Sequence, residues 1–471
     1  MNMKNFKTVI IGAGPAGMAC AHELSKAGHK PVIFDLEQQP GGICRTLDYQ
    51  GYLFDIGGHR FLTKSGEINE LWSKMMGNDM LRVRRLSRIY YKHRFFSYPL
   101  KFFDTFLKLG AWGSWKAIAS LLWCKYRKKG DITTFEGWVI RNFGRELYKV
   151  FFEHYTEKVW GVASANLSAD WAEQRLRGLS LKSLLRSVFS SGRKKGPKTL
   201  TEEFLYPRTG PGEFFMRFQS SIEKMGGQFY WGRKVTELKT DGNRVISVVV
   251  EDFRSDKREE IPVDGVFSTM PLPLLVRSLS PKVPLDILGA SEALRFRSFI
   301  AVNVVLNTAQ LFSDQWLYIQ DPDVRMGRIQ NYKNWSPAMV PDPSRTSLGL
   351  EYFCDEKDDF WNKSDIDLMD LAMSELEKIG IARREHLING FVVRVPHAYP
   401  VYSMGYLENV KTVRGYLERF DNLRTLGRGG LFRYDNSDHA LLSGIFTARN
   451  FLGSGDYDIW GLHADTSYLE S

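Results

Sequence analysis

Residues 7–11 form a short apolar run that ends at glycine, and residues 18–27 repeat apolar positions at helical spacing. A second apolar run, 31–34, follows. Strand, turn, helix, strand is the order of a βαβ unit. From Leu71 to about Ser190 the pattern predicts mainly helix, rich in aromatic residues. Residues 190–201 (SSGRKKGPKTLT) are basic and Gly/Ser-rich, which predicts a loop. A helix over 214–224 is stopped by Gly226-Gly227, and strands follow at 228–231, 235–240 and 244–251, with Asp241-Gly242-Asn243 as a turn. Another strand, 263–269, is closed by Met270-Pro271. Alternation at 299–306 and 347–353 predicts strands of a separate sheet, and helices are expected over 365–379 and 440–451.

A chain of 471 residues is too long for one small core, so two interleaved domains are expected. With 43% hydrophobic and 25% charged residues it has an ordinary globular composition. The net charge of +10 fits either a solvated basic surface or an anionic partner, such as a phosphorylated substrate or a membrane surface. No nucleic-acid motif accompanies the charge, so nucleic acid is not expected. Cys20, Cys44, Cys124 and Cys354 form no C-x-x-C pair, which argues against zinc or a disulfide framework. The first strand begins almost at Met1, leaving no room for a signal peptide, and a cytoplasmic location is expected. Residues 109–126 are apolar and are followed by Arg127, Lys128 and Lys129. The stretch is short for a span and is interrupted by Lys116 and two glycines. A buried or partly exposed helix is expected there, with monotopic membrane contact the lesser reading.

Gly12-Ala13-Gly14-Pro15-Ala16-Gly17 is a G-x-G-x-x-G turn between the first strand and helix. Gly12 permits the tight turn, Gly14 lets the backbone approach a pyrophosphate, and Gly17 lets helix and strand pack closely. The helix N-terminus then offers N–H groups and a positive dipole end to phosphate. Asp35 ends the second strand, where an acid takes ribose hydroxyls; Glu37, two residues on, is the alternative. Two more glycine turns follow, Gly41-Gly42-Ile43-Cys44-Arg45-Thr46 and Asp55-Ile56-Gly57-Gly58-His59. Three turns within sixty residues suggest a long ligand lying along the backbone. Near the C-terminus, Gly427-Arg428-Gly429-Gly430 and Arg433-Tyr434-Asp435-Asn436-Ser437-Asp438-His439 precede the last helix, for which Ser437 or Asp438 is the expected cap.

The three turns resemble the flavin-binding opening of the amine-oxidase and protoporphyrinogen-oxidase superfamily. That resemblance implies an α/β fold: a Rossmann-type FAD-binding domain of the GR2-like kind, with an interleaved substrate domain of helical cap plus β-sheet. Residues 1–64, 203–288 and 400–471 would form the FAD domain, 65–202 a mainly helical cap, and 289–399 a substrate-facing sheet and helix. FAD contacts would come from Gly12, Gly14, Pro15, Ala16 and Gly17, from Asp35, Gly42 and Arg45, from Gly57, Gly58 and His59, from Val235, and from Gly427, Arg428, Asn436 and Ser437.

Further segments in family order resemble UDP-galactopyranose mutases: 54–63 (FDIGGHRFLT), 135–161 (FEGWVIRNFGRELYKVFFEHYTEKVWG), 171–175, 204–214 (FLYPRTGPGEF), 316–337, Tyr399-Pro400 and 427–444. By motif position the resemblance implies a nucleotide-sugar substrate whose diphosphate is held by Arg175, Tyr318, Arg328, Tyr399 and Tyr434. Arginine suits bidentate phosphate binding and tyrosine supplies single hydroxyl donors. His59 would sit against the flavin, and reduced flavin would carry the sugar chemistry, with His59, Arg175 and Arg328 as the catalytic set. The gap between the Arg-Tyr and Asp-His pairs is shorter than in those mutases, and 198–203 holds no counterpart of their uridine-contact asparagine. The base, leaving group or sugar is therefore open. An FAD-dependent oxidoreductase acting on an amine, porphyrinogen or polyene is the alternative, and a flavin-stabilised binding protein of a glycan pathway a third. Oligomeric state stays open.

Overall fold

The computed structural model describes residues 7–98, 102–127, 132–176, 203–255 and 257–462. Five short strands form a parallel sheet in the order Leu423–Thr425, Gly265–Ser268, Thr8–Ile11, Val32–Asp35 and Gln228–Trp231. Thr8–Ile11 and Gly265–Ser268 are buried throughout, which is why they read as unbroken apolar runs rather than alternating ones. The period of two is still visible in what each side chain touches. Ile10 joins a cluster with Phe214, Phe218, Leu441 and Ile445, whereas Val9 and Ile11 face Val235, Val248, Leu275 and Val413. The first face is covered by the helices Pro15–Lys26, Pro211–Lys224 and Ser437–Phe451. The second is covered by an antiparallel sheet, Arg233–Asp241, Arg244–Asp252 and Lys257–Pro262, with the helix Tyr406–Leu417.

A seven-stranded sheet runs in the order Leu387–Pro400, Phe296–Leu306, Thr346–Cys354, Arg328–Asn331, Trp316–Ile319, Ser87–Tyr91 and Arg94–Ser97. Ile300, Val302, Val304 and Leu306 point to the helix Asp365–Lys378, while Phe299 and Ala301 point to helices within residues 135–176. Mixed α/β architecture with a Rossmann-type parallel sheet is thus the fold. The stretch after Leu71 is not helical throughout: Met80–Arg84, Ser87–Tyr91 and Arg94–Ser97 are strands. Their short Arg/Tyr-rich segments carry no apolar run long enough to announce them, and Ser87–Tyr91 gains its place by pairing with Trp316–Ile319, far away in sequence. The predicted 190–201 loop lies outside the described residues.

Candidate functional site

The first helix begins at Gly14 with no side-chain cap, so its leading N–H groups face outward. Gly12 has φ +99°, and a Cβ there would fall 2.0 Å from Thr269 Oγ1. A Cβ on Gly17 would strike Gly12 O at 1.9 Å, so helix and strand touch as expected. In front of the helix, Gly14 and Gly42 face each other; a Cβ on Gly42 would come 3.1 Å from Gly14 Cα. Both turns are therefore bare backbone at the point where a phosphate would pass. Asp35 accepts from the N–H of Ala13 at 2.6 Å and of Glu37 at 2.8 Å, fixing the first turn to the end of the second strand. Burial raises its pKa above the ordinary carboxylate value, against those two hydrogen bonds. Glu37 is spent elsewhere, on an ion pair with Arg45 at 2.7 Å, and Arg45 donates to Gly42 O at 2.8 Å. Val235 is buried beside Ile11 and Phe34, at the ends of the first two strands.

The C-terminal helix lies across the first. A Cβ on Gly444 would sit 2.1 Å from Ala16 O, and one on Gly427 2.7 Å from Ala16 Cβ. The cap of that helix is Asn436, not Ser437 or Asp438, and no side chain closes it. Ser437 is its first residue, and the helix starts three residues before the apolar pattern suggested because its first turn is polar but buried. Two open helix N-termini joined by glycine turns suit a dinucleotide with an anionic middle and a ring system at one end.

The Gly57-Gly58 turn runs flush against the seven-stranded sheet. A Cβ on Gly58 would hit Trp316 at 2.7 Å, and one on Gly57 would meet Glu351 Oε1 at 3.5 Å. His59 follows; its Nε2 donates to Ile56 O at 2.9 Å, which leaves Nδ1 to accept from the Cys44 thiol at 3.5 Å. Burial, helped by the charges of Arg428 and Arg328, holds the His59 pKa down to about 4, so the ring is neutral. Burial likewise pushes Cys44 up to about 12, keeping the thiol a donor.

Arg328 lies on the sheet beside this turn, 9% exposed. Its Nε donates to Tyr155 OH at 3.0 Å, and its Nη1 to Glu351 Oε2 at 3.1 Å and Tyr399 OH at 3.4 Å. Among the described residues Nη2 has no protein partner, so one edge of the guanidinium is open. Burial opposes its charge, but Tyr155 and Glu351 hold its pKa above the ordinary arginine value. Tyr155 packs edge-on to Tyr318 at 5.8 Å, and Tyr399 stacks on Tyr434 at 5.4 Å. Arg428 lies over both stacked rings and donates to Ala398 O at 3.1 Å. Burial pushes the Tyr155 hydroxyl up to about 12, so it remains a donor.

The structure thus brings together Tyr318, Arg328, Tyr399, Tyr434, Arg428 and His59. Arg175 stands on the helix Ala169–Leu176, but its side chain lies outside the described residues, as does most of 198–203. Reading the sequence missed Tyr155, Glu351 and Lys158 as site-builders, and Gln330, whose Nε2 donates to Glu351 Oε1 at 3.0 Å. Tyr155 and Lys158 stood in the 135–161 run without a role. Lys158 Nζ donates to the carbonyls of Ile319, Asp321, Val324 and Met326 at 2.8–3.2 Å, tying down the loop that feeds Arg328. Glu351 looked like one more strand position; only strand pairing places it opposite Arg328.

The family described as flavin containing amine oxidoreductase matches residues 15–451. A solved structure of reduced UDP-galactopyranose mutase superposes with a TM-score of 0.84 and 21% identity, covering 98% of each chain, which shows the shared fold. Among curated proteins, a 15-cis-phytoene desaturase of Narcissus pseudonarcissus is 32% identical over 88 residues, 18% of this chain and 15% of that relative. A zeta-carotene-forming phytoene desaturase of Myxococcus xanthus is 24% identical over 319 residues, 62% of this chain and 58% of the other. The chain therefore spans only part of the length of these curated relatives. On the family match, and with a cradle that fits the cofactor, the chain belongs to the flavin-containing amine oxidoreductases and binds FAD.

Proposed function

We propose that this flavoenzyme isomerises a nucleotide sugar between pyranose and furanose forms, in the manner of UDP-galactopyranose mutase and with reduced FAD. The observation that carries the reading is the open edge of buried Arg328, held between the hydroxyls of Tyr155 and Tyr399. A guanidinium held in place with free donors is built for a diphosphate, and a polyene would have no use for it. Reduced flavin, when bound, supplies the nucleophile for the sugar's anomeric carbon. Arg328 binds the diphosphate before and after it leaves the sugar, and Glu351 fixes the guanidinium plane. Tyr155, Tyr318, Tyr399 and Tyr434 donate to the remaining phosphate oxygens, and Arg428 adds positive charge above the stacked pair. Arg175 is a further diphosphate ligand by motif position. Neutral His59 takes no proton at working pH and holds the glycine turn against the ring system. Gly14 and Asp35 would hold the pyrophosphate and ribose of FAD.

The second reading, an FAD-dependent oxidoreductase of desaturase type, rests on the partial likeness to phytoene desaturases. One experiment separates the two. The protein is incubated without oxygen with UDP-galactopyranose or a related nucleotide sugar, with and without dithionite. The mutase reading expects an isomeric nucleotide sugar only with reductant, and no electrons consumed. Turnover by oxidised enzyme, with peroxide or reduced acceptor in proportion to product, establishes the oxidoreductase instead. Arg328→Ala should weaken nucleotide-diphosphate binding by about 2–5 kcal/mol while FAD stays bound. Equal binding by the variant and the unchanged protein removes the support for the mutase.

A further inference from the structure

The helix Phe102–Arg127 is apolar on two sides. Ala117, Leu121 and Cys124 face the protein, where a Cβ on Gly144 would lie 2.9 Å from the Leu121 backbone. The opposite side faces water with Leu107 80%, Trp112 66%, Trp115 61%, Leu122 61% and Tyr126 87% exposed. Positions 115, 118, 122 and 126 recur at three and four residues and form one continuous stripe. Trp112 and Trp115 stack at 5.3 Å, and Lys116 Nζ lies 5.1 Å from the Trp112 ring. An exposed stripe of this composition on an isolated molecule is a large cost to leave in water.

The charge around the stripe is mostly positive; Asp104, paired with Lys108, and Glu146, whose N–H reaches Ser120 Oγ, are acidic residues beside it. From 105 to 130 the sequence contains no acidic residue and has Lys108, Lys116, Lys125, Arg127, Lys128 and Lys129. Two exposed arginines from other elements adjoin it. Arg94 donates to the Lys108 carbonyl, and the Arg145 N–H donates to Ser120 Oγ at 2.9 Å. Among the described residues no helix is long and apolar enough to cross a membrane, and Gly110, at φ +78°, breaks this one near its start. Tryptophan and tyrosine in an apolar face, rimmed by lysine and arginine on a helix interrupted by Gly110 and Lys116, have the chemistry of the headgroup–acyl boundary.

We propose that the outer face of Phe102–Arg127 docks on an anionic lipid bilayer, lying in its surface. The indoles and Leu122 enter the boundary region while Lys116, Arg94 and Arg145 meet lipid phosphates. This surface is separate from the Arg328 cluster, so the inference stands whichever reaction the enzyme performs.

The FAD-loaded full chain is sedimented with phosphatidylcholine vesicles containing phosphatidylglycerol, with pure phosphatidylcholine vesicles, and without vesicles. Binding to the anionic vesicles is expected, weakening at high salt and on pure phosphatidylcholine. Trp115→Glu and Leu122→Glu should each reduce it about tenfold or more, since each removes a buried apolar group. Lys116→Glu should reduce it on anionic vesicles alone. Unchanged flavin content in the variants shows that they fold, and Leu122→Met, which keeps the apolar contact, should bind like the unchanged protein. No sedimentation with anionic vesicles overturns the proposal, as does binding that the glutamate variants leave intact. Analytical ultracentrifugation supplies the other occupant: a dimer that Leu122→Glu breaks, with no vesicle binding, makes this face a contact between copies and also overturns it.

Discussion

At the scale of single residues, the cofactor cradle is built on a different rule from the Arg328 cluster, whose work is done by side chains. The cradle depends on side chains that are missing. A Cβ on Gly14 meets nothing nearer than Gly42 Cα at 4.0 Å, so a side chain there has room at its first carbon and would project into the space where the pyrophosphate is expected. Gly14→Val should therefore fold and unfold like the unchanged protein once both are stripped of flavin, yet fail to take up FAD; thermal unfolding of the two apo-proteins and flavin absorbance after reconstitution check it. His59 gives a pH prediction. The folded chain keeps its ring neutral down to about 4, whereas the unfolded ring protonates near the ordinary value of 6.5. Between those values the unfolded state binds the extra proton, so stability rises with pH there and is lost as pH falls from 6.5 toward 4. The slope from this one group approaches about 1.4 kcal/mol per pH unit. Urea unfolding at a series of pH values should show a flatter acid limb for His59→Gln.

At the scale of elements, the loop from Ile319 to Met326 shows how the site is held. Four carbonyls of that loop converge on Lys158, whose ammonium burial pulls down to about 8. Lys158→Met should cost about 1–3 kcal/mol in stability, because buried carbonyls lose their donor. It should also raise the Kd for nucleotide diphosphate while leaving flavin content unchanged; measured Kd equal to that of the unchanged protein would reduce Lys158 to a purely structural role. The same element marks the boundary of what could be read from sequence. The glycine turns were legible because their spacing is a local signature, although what several of them approach is distant, as Gly12 approaches Thr269 and Gly58 approaches Trp316. Arg328, Tyr318 and Tyr399 were legible by motif position. Tyr155, Glu351 and Lys158 were not, because their partners lie on other elements: Tyr155 reaches Arg328 across 173 positions of chain, and Lys158 reaches Ile319 across 161. No local periodicity records such pairings. The strand Ser87–Tyr91 was missed for the same reason, its parallel partner Trp316–Ile319 lying far along the chain. Arg94–Ser97 pairs with it in a local hairpin, but the Lys92-His93 turn carries no glycine, proline or asparagine to announce it.

At the scale of the whole molecule, the cofactor cradle is made from stretches far apart in sequence. The parallel sheet takes its strands from near residues 8, 32, 228, 265 and 423, and the helix Ser437–Phe451 lies directly on Pro15–Lys26 at Gly444. Gly444→Leu should force those helices apart, lowering the melting temperature and flavin content together, in contrast to Gly14→Val. Calorimetry with flavin quantification distinguishes the two. The crossing at Gly444 also sets a timetable. A ribosome lays down Pro15–Lys26 more than four hundred residues before the helix that must cover it. Throughout that interval the emerging chain presents an uncovered apolar face and a half-built cradle. FAD can be locked in only after Ser437–Phe451 has left the exit tunnel, so the nascent chain must be kept from aggregating until then.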